Sequence, residues 1–142
     1  MKLPAQYFKI IINELKGIKE LINEATTPDD KLYFFSASFG IINRIMNLHY
    51  DPLLVFIHQI LQNVHMTMTQ RLASAKTGVG GIPNTFPTAF MDSLANNFSE
   101  LINAFENNDE NQIREVLEKF TNLSYATTGN GFYLLLLGKL PI

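Results

Sequence analysis

The stretch from Pro28 to Leu48, PDDKLYFFSASFGIINRIMNL, constrains this chain more than any other, because Arg44 is the sole charged residue between positions 32 and 48. Leu32, Phe35, Phe39, Ile42 and Met46 form one apolar stripe at spacings of three and four. Phe34, Ile41, Ile45 and Leu48 form a second stripe that overlaps the first. A helix that is apolar on nearly every side has to be covered on nearly every side. The pattern therefore predicts the central helix of an all-helical domain, with the other segments packed around it. Ser36, Ala37, Ser38 and Gly40 lie between the stripes, and their small size predicts a close approach by a neighbouring backbone, tightest at Gly40.

The flanking segments carry the single-sided pattern of helices that bury one stripe. Residues 4–25 place Phe8, Ile11, Leu15, Ile18, Ile22 and Ala25 on one side, with Lys16 and Glu20 spaced to pair on the other. Thr27 followed by Pro28, and Asp51 followed by Pro52, are cap-then-proline signals that start the second and third helices. The third helix extends to about Lys76 and buries Leu54, Ile57, Leu61, Val64, Met68 and Ala75. Residues 77–87, TGVGGIPNTFP, interrupt the pattern. It resumes with Phe90, Leu94, Phe98, Leu101 and Phe105. Asn107 and Asn108 break it, and Asp109 with Gln112 has the spacing of a capping box. A fifth helix then buries Ile113, Val116, Leu117, Phe120 and Leu123, with Glu110–Arg114 and Glu115–Lys119 spaced to pair outside. The expected fold is all-α: an up-and-down bundle of four to five helices with an apolar C-terminal tail, residues 132–142, FYLLLLGKLPI. Alternating directions would gather the glycine-bearing links at one end and the tight links at the other.

Bulk properties narrow the function classes. A chain of 142 residues fits a single helical-bundle domain spanning 1–142. Only 17% of residues are charged, against about 25% in typical domains, so some apolar surface is expected to meet a partner subunit. A net charge of -2 gives no electrostatic footprint for nucleic acid or an acidic membrane. No cysteine is present, which removes disulfides and thiolate metal sites. Lys9, Asn13 and Glu14 interrupt the N-terminal apolar run, and no run reaches the length of a membrane span. A cytoplasmic protein is the expectation.

Few motifs point to chemistry. A bundle di-iron site needs Glu-x-x-His on two helices, and the chain contains no such spacing. His58 and His65 are seven apart and point the same way, about 10.5 Å apart along a helix axis. They are either boundary histidines with ordinary hydrogen bonds or part of a metal site completed by another helix or subunit. Lys76 and Thr77 precede Gly78, Gly80 and Gly81, the reverse of the phosphate-binding order Gly-x-x-x-x-Gly-Lys-Ser/Thr. Arg71, Lys76, Thr77 and the amides of Gly78, Gly80 and Gly81 form a candidate anion pocket with the start of the fourth helix; the alternative is a plain connection. No serine lies in a Gly-x-Ser-x-Gly context. The leading expectation is a non-catalytic, self-associating interaction module, a homodimer or larger. Its rival is a small-molecule or phosphate-ligand binder, or an enzyme, built on the glycine-rich end; no cofactor is identifiable.

Overall fold

Each helix boundary follows from a local chemical signal. The structure, a computed structural model, describes residues 1–79 and 84–128. Among them are five helices and no strand: α1 (Ala5–Glu24), α2 (Pro28–Leu48), α3 (Pro52–Thr77), α4 (Thr88–Glu106) and α5 (Glu110–Thr127). The Thr27 hydroxyl accepts from the Asp30 amide at the start of α2. One oxygen of Asp51 accepts from Leu53 at the start of α3. Helix α3 ends at Gly78, whose φ of 68° is left-handed and whose N–H closes on the Ser74 carbonyl; glycine takes that conformation without a Cβ penalty. Asp109 caps α5 through the amides of Asn111 and Gln112. The reciprocal half of the expected capping box is replaced: Gln112 accepts from the Asn107 side chain, and the Asp109 amide donates to Ala104.

Three short links force antiparallel neighbours: α1 with α2, α2 with α3, and α4 with α5. Helix α1 also packs on α4, and α3 packs on α5, so the five helices close a ring in the order α1, α2, α3, α5, α4. A ring with an odd number of alternating helices must contain a parallel pair. That pair is α3 and α5, where Asn63 and Thr67 meet Ser124 and, further along both helices, Arg71 meets Thr127.

The core fills the centre of this ring. Phe35 is fully buried and reaches from α2 across to Phe98 of α4, at 5.8 Å between ring centroids, and to Phe120 of α5, at 6.3 Å. The expectation of an α2 covered on all sides does not hold. Leu32, Phe35, Ser38, Ile42 and Ile45 make its one buried stripe. Phe34, Phe39, Ile41 and Met46 are half-buried, while Tyr33 and Leu48 face solvent. The reason is geometric: a member of a five-membered ring has two neighbours and a core, and its fourth side stays open. Gly40 lies on that side, with nothing within 4 Å of where a Cβ would sit, so no neighbour approaches there.

The two ends differ as expected. At one end Asp51 uses its second oxygen to accept from the Lys2 amide, and Nε2 of His49 donates to the Lys2 carbonyl. The opposite end holds the α1–α2 link, the α3–α4 connection and the end of α5. There Lys76, in the last turn of α3, bridges to Asp29 in the first turn of α2 at 2.7 Å. Both charges suit the helix dipoles they sit on. The apolar tail, residues 132–142, lies outside the described residues.

Candidate functional site

The α3–α5 seam is polar where the rest of the core is apolar. Thr67 donates to the Val64 carbonyl and lies within hydrogen-bond distance of Ser124 Oγ (3.2 Å) and Thr127 Oγ1 (3.0 Å). Asn63 Nδ2 donates to Ser124 Oγ. Thr67, Ser124 and Thr127 are buried, so these hydroxyls satisfy one another away from water. Arg71 continues the seam toward the loop end. It is only 6% exposed. It donates to the carbonyl and hydroxyl of Thr85 and to the Thr127 carbonyl, and its guanidinium sits 5.2 Å from the centre of the Phe90 ring. No carboxylate among the described residues is within ion-pair range of it. Burial pushes its pKa down from the ordinary arginine value. Arg71 thus ties α3 to the start of α4 and the end of α5 through neutral acceptors and a ring face.

The other described residues of the anticipated anion pocket, Lys76, Thr77 and Gly78, each have partners of their own. Lys76 is exposed and paired with Asp29. Thr77 donates back to Ala73 and accepts from the Val79 amide. Gly78 closes the helix, and Gly80 and Gly81 lie outside the described residues. The structure therefore places Arg71 inside the bundle and Lys76 outside it, each already engaged.

His58 and His65 point to the same side of α3, where the Phe39 ring contacts both, at 6.2 Å and 5.4 Å between centroids. His65 also stacks on Phe35, the ring at the centre of the core, at 6.4 Å and 15°. Desolvation lowers its pKa below the usual imidazole value, and a backbone hydrogen bond at Leu32 partly opposes that. No group of three or more metal-ligating side chains gathers among the described residues.

Between these two polar features, and lined in part by His65 and Asn63, lies a groove of about 860 Å³ along α3. Gln59, Asn63, Met66 and Gln70 line it, joined by Phe39 of α2 and Thr121 of α5. No lining residue is acidic, and the one basic residue, His65, is pushed toward its neutral form by desolvation. Asn63 links the groove to the hydroxyl seam beneath it. The neutrality extends along the chain, since only Arg44 and Asp51 are charged between residues 32 and 70. Amides, hydroxyls, a thioether and aromatic edges suit an uncharged, largely apolar partner.

Sequence reasoning missed the seam, although a signal for it existed. The buried stripe of α5 runs through Phe120, Ser124 and Thr127 at spacings of four and three, and Thr67 sits beside Met68 on the inner side of α3. Compared with known proteins, the chain matches no family model, no curated protein and no solved structure. Among the described residues no helix is long and apolar enough to cross a membrane.

Proposed function

We propose that this protein is a non-catalytic helical interaction module that associates with a second copy of itself through the open side of α2 and the start of α3. The observation that carries this reading is a series of large residues left exposed along α2 and into the start of α3, Tyr33 (73%), Leu48 (68%), Tyr50 (72%) and Phe56 (58%), with Arg44 and Asp51 the only charged residues between Tyr33 and Phe56. Monomers rarely leave an extended apolar patch open. Two-fold pairing sets a face against its own copy, so a face rich in charge opposes itself with like charges, whereas this one carries little to repel. Ala37 and Gly40, both exposed on the same side of α2, leave room for the partner's larger residues.

Light scattering during size exclusion tests the proposal. The expected particle mass is at least twice the 16.1 kDa of the chain, and Tyr33→Glu with Leu48→Glu should return it to a single chain while the helical circular dichroism is kept. A native particle of one chain mass at micromolar concentration removes the proposal.

A further inference from the structure

We infer that the α3 groove is the docking site for the chain's own C-terminal apolar segment, residues 132–137, FYLLLL, bound within the same molecule. The observations are of reach, chemistry and direction, and none depends on self-association. Helix α5 delivers the chain to the top of the groove: Thr127 hydrogen-bonds Thr67 and Arg71, and Gln70, the next residue back from Arg71, is a groove wall. Gly129, Asn130 and Gly131 follow, residue types that reverse a chain with little strain. The groove runs from residue 70 back to residue 59 of α3, about 16 Å at 1.5 Å per residue. From first to last, six residues span about 7.5 Å as a helix and about 16 Å extended, so the segment fits in either form.

The chemistry matches as well. Residues 132–137 are uncharged, as is the groove lining apart from His65, whose desolvation favours the neutral ring, and the one charged residue after Thr128 is Lys139, past Gly138. Direction adds a further argument. Helices α3 and α5 are the parallel pair that an odd ring imposes, and a segment that turns back after Thr128 runs antiparallel to both. It would give each the kind of neighbour that every other contact in the ring provides. A tethered segment also meets its own groove at a far higher effective concentration than any second molecule supplies.

The absence of native cysteine makes the test clean. A protein carrying Met66→Cys and Leu135→Cys should form a within-chain disulfide in dilute solution, with mass spectrometry separating within-chain from between-chain bonds. A second protein, carrying Asn96→Cys on α4 and Leu135→Cys, serves as comparison, because α4 flanks α5 on its other side and Asn96 is exposed there, outside the groove. Docking predicts a rate to position 66 about tenfold or more above that to position 96, as expected when one of two tethered encounters is favoured. Equal rates, or bonds only between chains, overturn the inference. A readout that needs no cysteine is the methyl resonance of the methionines. Ending the chain after Thr128 should move Met66 and leave Met91, buried on α4, in place. An unmoved Met66 in a folded truncated protein also overturns it.

Discussion

The ring of helices closes twice between segments that no short link joins, at α1 against α4 and at α3 against α5, and the two closures use different chemistry. At the first, Phe8 of α1 meets Phe105 of α4 edge-on at 6.4 Å, within a core that includes Ile11, Leu15, Leu101 and Ile102. At the second, hydroxyls of Thr67, Ser124 and Thr127 bond one another, and Arg71 binds carbonyls. Apolar burial contributes more free energy per residue but tolerates sliding, since one methylene resembles another. A chain of hydroxyls contributes little net stability, yet each is costly to leave unpaired, so it admits few registers. The parallel pair, which no link constrains, carries the bonds that define its register.

Breaking the apolar closure should have the larger effect. Phe105 is essentially fully buried, and Phe105→Ala should cost about 3–5 kcal/mol through lost transfer energy and the cavity left behind. Urea unfolding with a linear extrapolation measures it. A cost below that of the hydroxyl substitutions that follow would invert the comparison.

The polar closure should respond differently to single and combined changes. Thr67→Val keeps the shape but removes the partner of two buried hydroxyls, and it should cost about 1–3 kcal/mol. Replacing Thr67, Ser124 and Thr127 together with Val, Ala and Val removes the hydroxyls that need one another. The triple variant should lose clearly less than the sum of the three single changes, because groups in one network do not add. Additive losses would mean that the hydroxyls act independently and that the seam is not a network.

Much of the architecture was legible because it is local. Thr27, Asp51 and Asp109 announce their helices through side-chain bonds to amides two or three residues away, and such bonds depend on sequence neighbours alone. The split of the links between the two ends followed from helix count and link length. The order of closure was not legible. A buried stripe shows that a helix has a partner without showing which one, so the pairing of α4 with α1 and of α5 with α3 had no signal. Apolar content misled at α2 for a related reason: Phe34, Ile41 and Leu48 are apolar, yet a ring leaves one side of every helix open. Of the expected charge pairs Glu110–Arg114 forms within its helix, and the other two failed similarly. Lys16 and Lys119 had partners within their own helices by spacing, but the fold pairs them with Glu106 and Glu100 of α4, which only tertiary packing brings near. The candidate site inherits both difficulties. Arg71 was expected in an anion pocket beside a glycine loop, and its burial depends on Thr85, Thr127 and Phe90 arriving from other elements.

The smallest expected effect separates the two polar sides of α3 by pH. Toward α5 the groups are hydroxyls, which do not titrate near neutrality. Toward α2 stands His65, between Phe35 and Phe39, with a pKa lowered from 6.5 by desolvation. A histidine with a lowered folded pKa binds protons more readily in the unfolded chain, so stability rises with pH across the interval between the two values. Its contribution is complete above 6.5, the unfolded value, and is lost as pH falls from there toward the lowered folded value, below which the loss levels off. His65→Gln abolishes that titration and leaves His49 and His58 in place. The stability difference between native protein and this variant should therefore shrink as pH falls below 6.5, while the difference between native and Thr67→Val stays constant. Unfolding curves at matched ionic strength across that range measure both differences. If the His65 difference is flat, the imidazole is not held neutral by its aromatic neighbours; if the Thr67 difference slopes as well, the two sides of α3 are coupled through the core.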